Sequence, residues 1–140
     1  MAGVRGQVGI EYAALMVLIL VALVPVAFFA YQNLGWENRV AQARVATARI
    51  AAEADLVAAQ GAGAKGTVDV FFPDGIDSNS SRTFVKSKQI QLSLWSGTSH
   101  SDVFAVTKAN VTGTLPSSSG RHLLSVSMNS TGVVLVQAAT

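Results

Sequence analysis

The 140-residue sequence predicts an α+β chain, with one long N-terminal helix, apolar in its first half, and a small antiparallel β-sheet or β-sandwich packed on the helix's C-terminal half. Three observations carry this expectation. Ala13 to Ala30 is a run of eighteen residues with no charged or hydrogen-bonding side chain. Glu37 to Gln60 holds nine alanines in twenty-four positions and neither glycine nor proline. Beyond Gly66 the composition shifts to Ser, Thr, Val and Phe, with apolar residues alternating along short runs and turn residues between them.

Eighteen helical residues at 1.5 Å each reach about 27 Å, close to the hydrocarbon thickness of a bilayer. Ala13 to Ala30 therefore reads as a membrane-spanning helix. Pro25 lies inside it; it lacks a backbone donor and crowds the carbonyl of Val21, so a kink or local melting is expected there. A secretory signal cut after its apolar core is disfavoured, because the run is too long and the only nearby small-residue site is Ala27-Phe28-Phe29-Ala30.

Tyr31 and Trp36 suit a membrane interface, and the alanine-rich segment that follows has high helix propensity throughout. Val40, Ala43, Thr47, Ile50, Ala54 and Val57 recur at spacings of three and four, which places them on one face. Arg39, Arg44, Arg49, Glu37, Glu53 and Asp55 fall elsewhere and read as a solvated or intersubunit face. Gly61-Ala-Gly-Ala-Lys-Gly66 ends the helix, since glycine accepts the left-handed conformation of helix ends. A helix from near Val8 to Gln60 would be about 75–80 Å long. Its first half then needs lipid, or other copies of the protein, to cover it.

Five strands are expected at Thr67–Phe72, Arg82–Trp95, Asp102–Thr112, Leu123–Met128 and Gly132–Gln137. Pro73-Asp-Gly75 supplies a turn, and the serine-rich pieces Ser78–Ser81 and Ser117–Ser119 read as loops. A domain this small is marginal alone, so the helix is expected to complete its core.

Composition and motif spacing also exclude functions. Without cysteine there is no disulfide, thiolate metal site or cysteine nucleophile. The formal charge of +2 comes from scattered residues, with no basic run to follow a phosphate backbone, so nucleic acid is not an expected partner. His100 and His122 lack zinc-site spacing, and Asp74, Asp77 and Asn79 lack the spacing, central glycine and terminal glutamate of a calcium loop. Gly61–Gly66 follows a helix and precedes a strand, the reverse of a phosphate-binding loop. No catalytic cluster, metal site or cofactor is expected. Three Asn-x-Ser/Thr sequons, at Asn79, Asn110 and Asn129, are candidates for N-linked glycans.

The informative residue is Glu11. A carboxylate at the start of an apolar helix costs about 2.5–3.5 kcal/mol at the bilayer centre and needs a partner. Its context, Arg5-Gly6-Gln7-Val8-Gly9-Ile10-Glu11-Tyr12, resembles the class III signal peptide of archaeal prepilins, members of the type IV pilin superfamily. That resemblance implies cleavage by a membrane-embedded prepilin peptidase between Gly6 and Gln7, with Arg5 and Gly6 as the basic-glycine pair and Gln7 as the first mature residue. Glu11 matches the glutamate at the fifth mature position, and Tyr12 the aromatic that follows it. The archaeal pattern usually has serine where this chain has Gly9, another small residue. The match spans the first thirty residues; the helix-glycine-strand layout of residues 31–75 follows the family more loosely.

The resemblance implies a chain of four parts: a leader (1–6), a helix for membrane or filament core (7–31), its amphipathic continuation (32–61) and a β-rich surface domain (62–140). It implies a lollipop-shaped structural subunit of an extracellular pilus-like filament, made for adhesion, with no enzymatic activity. Its partners would be the membrane before assembly, the peptidase and assembly machinery, and other copies in a helical homopolymer. The alternative is a minor pilin-like protein or a membrane-anchored surface binding protein. Cleavage would leave an ammonium at Gln7 which, in a low-dielectric core, needs a counterion such as Glu11 of a neighbour.

Overall fold

The computed structural model describes residues 3–139, and side chains from Val8 onward. It holds one helix, α1 (Gly3–Gln60), and five strands: β1 (Lys65–Phe72), β2 (Phe84–Trp95), β3 (His100–Gly113), β4 (Gly120–Met128) and β5 (Val133–Ala138). The chain divides into two compact units, one ending at Glu37 and the other starting at Asn38. The second unit thus contains both the alanine-rich helix and the whole sheet.

In that unit the helix packs on the sheet as the α+β reading expects. Ala43, Ala46, Thr47, Ile50, Ala51, Ala54 and Val57 are buried, and Val40 is half-buried. The stripe is wider than the sequence spacing suggests because Ala46 and Ala51 are small enough to join it. Thr47 is tolerated there because its hydroxyl donates back to the carbonyls of Ala43 (3.1 Å) and Arg44 (3.0 Å). The opposing core comes from Val70, Phe72, Val85, Ile90, Leu92, Leu94, Val103, Val111, Leu124, Val126, Val134 and Val136. A close approach follows at Gly66, where a Cβ would collide with the Glu53 carboxylate and press on Val57.

The helix stops as composition predicts. Gly61 takes φ +95°, and its N–H reaches the carbonyl of Ala58. The chain then reverses into β1 through Gly63, whose N–H donates to Met128 O at 3.0 Å.

The sheet order is β1-β4-β5-β3-β2, and it corrects the expectation of purely antiparallel strands. β1 with β4, β4 with β5, and β2 with β3 are antiparallel, but β3 and β5 run parallel from Asn110↔Val133 to Gly113↔Val136. The cause is topological. β4 crosses over to pair with β1, leaving a slot one strand wide, and the short turn after Met128 sends β5 into that slot antiparallel to β4. It is therefore parallel to β3. A single mixed sheet, not a sandwich, results.

The two edge strands are handled differently. Along β2, the loop after β1 adds a bridge between Ile76 and Leu94, and backbone bonds run from Asp77 N to Ser93 O and from Trp95 N to Gly75 O. This cover blunts an otherwise free edge. Edge strand β1 carries Asp69, which Arg121 of β4 grips through Nε (2.8 Å) and Nη2 (2.6 Å). The hydrogen bond from Arg121 holds the Asp69 carboxyl below its ordinary range, against a smaller opposing effect of desolvation.

Two outcomes are expected. Gly113 has φ +151°, and an added Cβ would overlap the Val136 carbonyl, so Gly113→Ala should cost about 2–4 kcal/mol in urea unfolding. A depressed carboxyl stabilises the fold above its unfolded pKa of about 3.9 and loses that contribution as pH falls through its lower folded value. Arg121→Gln should therefore lower the melting temperature slightly near neutral pH, and the gap to the parent should close as pH falls below about 4.

Candidate functional site

The candidate site is the apolar face of the first unit. α1 is long and apolar enough to cross a membrane, and no part of its most apolar window is buried. From Ile10 to Leu34 its large side chains stay open, with Leu18 71%, Phe29 65% and Tyr31 80% exposed. Apolar side chains lie on every side of the helix, so no polar face is left to meet water.

Pro25 sits within this helix, which continues through it uninterrupted. The local melting expected from the missing donor does not occur. A proline costs one backbone bond, to the Val21 carbonyl, a loss a membrane-type helix tolerates.

Glu11 and Tyr12 are exposed and, with Leu15, line a shallow hollow on the helix. Among the described residues no ion pair includes Glu11. The Arg5, Gly6 and Gln7 side chains lie outside the described residues. Glu11 is thus a carboxylate presented from an apolar surface.

The second unit carries the three sequons, all with exposed asparagines. Asn79 lies in the loop between β1 and β2, Asn110 in β3, and Asn129 in the turn between β4 and β5. Asn110 pairs with Val133 across the sheet and Asn129 hydrogen-bonds to the same Val133, so these two lie near one another, while Asn79 belongs to the loop before β2.

Asn110 lies beside a feature that sequence spacing did not reveal. Gln89 pairs with Val106 and Ser87 with Val111, so residues 107–110 of β3 stand opposite Lys88 alone. This is a wide bulge, with Ser87 at φ +59°. Its freed N–H groups are taken by Asp55 of α1, whose Oδ1 accepts from Lys108 N (2.7 Å) and Ala109 N (3.4 Å). The Thr107 hydroxyl bonds the Ala109 carbonyl at 2.8 Å. Asp55, expected on a solvated face, instead ties helix to sheet; only its partners 53 and 54 residues away could have revealed that role.

Two of the open hollows on the second unit bring together residues distant in sequence. One, of about 370 Å³, is lined by Ala41, Val45, Arg49 and the half-exposed Phe71. The other, of about 380 Å³, is lined by Asp77, Ser78, Trp95 and His100. There His100 lies 4.4 Å from the Trp95 ring, with its Nδ1 3.5 Å from Asp77 Oδ2. This grouping was not legible in sequence, because the β2–β3 hairpin and the preceding loop create it. His122 places Nε2 2.9 Å from the Ser118 carbonyl. Among the described residues, no three His, Cys, Asp or Glu side chains form a metal-binding group.

No known family model, curated protein or solved structure matches the chain.

Replacing Asp55 tests the bulge. Asp55→Ala leaves two backbone donors without their acceptor and should destabilise the fold by about 1–3 kcal/mol in chemical unfolding. Amide exchange should accelerate first at Lys108 and Ala109.

Proposed function

We propose that this chain is a structural subunit of an extracellular filament of the type IV pilus kind, with adhesion as its role. In this reading prepilin peptidase cuts between Gly6 and Gln7, and the mature helix then leaves the membrane to pack among helices of other copies. The observation that carries the reading is the all-round exposed apolar helix, interrupted near its start by Glu11 and joined to a chain segment with a finished core of its own. Such a helix needs an apolar solvent, and lipid and a bundle of like helices both provide one.

Glu11 gives the transfer its register. The new ammonium at Gln7 and the carboxylate four residues on are each costly in an apolar core, and pairing across neighbouring copies relieves both. A helix slipped by a turn leaves both charges unpaired. Processing also removes Arg5, taking the formal side-chain charge from +2 to +1, because ten basic residues become nine against eight acidic ones. The open hollow at Ala41, Val45, Arg49 and Phe71 offers further surface for neighbouring copies.

A second reading, a surface binding protein or minor pilin held in the membrane by the same helix, is favoured by the match between the apolar run and one bilayer thickness. One variant separates the two. Losing one partner of a buried ion pair costs about 3–5 kcal/mol, so Glu11→Ala should cut the yield of sheared filaments about a hundredfold or more. The protein should still begin at Gln7 by N-terminal sequencing and intact mass. Normal filaments from Glu11→Ala would defeat the register argument. An uncut chain confined to membranes would leave the anchored reading.

A further inference from the structure

We propose that Asn129 is the principal attachment point for an N-linked saccharide, because the fold already presents its amide nitrogen outward in a locked turn. The proposal rests on the reading of the β-rich segment as facing the cell exterior. The Asn129 Oδ1 accepts three hydrogen bonds, from Thr131 N (3.0 Å), Thr131 Oγ1 (2.7 Å) and Val133 N (3.0 Å). Two backbone bonds close the same turn, Asn129 N to Val133 O and Gly132 N to Asn129 O, with Gly132 at φ +81°. With the oxygen held inward, Nδ2 points away from the turn, and it has no partner among the described residues.

The other two sequons are presented less well. Asn110 lies in β3, an interior strand paired with both β2 and β5, and the next residue, Val111, is 1% exposed. A transferase could enclose residues 110–112 only by pulling β3 out of the sheet. Asn79 is in a loop, but its Oδ1 accepts a single bond, from Ser81 N at 3.0 Å, so the carboxamide is less firmly oriented. Occupancy should therefore fall in the order Asn129, Asn79, Asn110.

The chemistry leaves the turn intact. The co-substrate is a saccharide carried on a lipid phosphate or diphosphate, and Nδ2 forms a bond to its anomeric carbon. The bond from that carbon to the carrier oxygen breaks, the phosphate leaves with the electron pair, and one Nδ2 proton passes to a base of the transferase. No oxidant or reductant is involved. Oδ1 keeps all three donors after transfer, so the modified residue holds the β4–β5 turn as the bare one does.

The test is glycopeptide mapping and intact mass of the full chain sheared from the surface of its own cells. The main saccharide-sized mass step should map to the peptide containing Asn129. Asn129→Asp preserves an acceptor for all three donors but removes the nucleophile, so that step should vanish while the melting temperature of the unmodified fold stays within a few degrees of the parent. Thr131→Ala should also abolish the step, and Thr131→Ser should retain part of it. An exported chain that is bare at Asn129, or modified chiefly at Asn79 or Asn110, overturns the proposal and leaves the filament reading standing. A chain never exported overturns both.

Discussion

The demand for cover on the apolar surface of the first unit governs this protein. Between Ile10 and Leu34 the helix exposes isoleucine, leucine, valine, phenylalanine and methionine side chains on every side. At about 25 cal/mol per Å² of apolar area removed from water, each such side chain gains about 1.5–3 kcal/mol when covered. No segment of the first unit offers that cover. The surface must be satisfied by lipid or by another protein, and it is uniform enough to accept either.

The second unit has to fold on its own terms. Its sheet is small, and the alanine-rich half of the helix supplies the missing layer. Alanine contributes little area, but it lets the helix lie close to the sheet, as the tight fit of Gly66 against Glu53 and Val57 illustrates. Ile50 and Val57, fully covered, provide the larger contacts. The same closeness lets Asp55 reach two backbone N–H groups of the β3 bulge, a polar tie that a bulkier helix face would hold out of range.

This division of labour makes physical sense for a subunit that changes surroundings. A core completed within residues 38–139 does not depend on what covers the first unit. The filament reading proposed above uses that independence, with one unit serving association and the other presenting loops, sequons and the Trp95–His100 hollow. In that reading Glu11 is the point where association becomes selective, because a charge in an apolar setting penalises every register that leaves it unpaired.

Much of this was legible in the residues themselves. The uninterrupted apolar run, the alanine-rich continuation and the glycines at 61, 63 and 66 specify the helix and its end through local backbone preference and hydropathy. Alternation specified all five strands within a few residues, because period-two burial is also a local property. Glu11 stood out by cost alone. Strand order was not legible: the parallel pairing of β5 with β3 arises from which slot remains after β4 reaches β1, a choice made between residues far apart in sequence. The bulge at residues 107–110, the Asp55 cap, the need for glycine at 113 and the differing settings of the three sequons belong to the same class. Local chemistry sets what each segment becomes; which segments meet, and therefore which polar groups find partners, is decided only when the sheet closes on the helix.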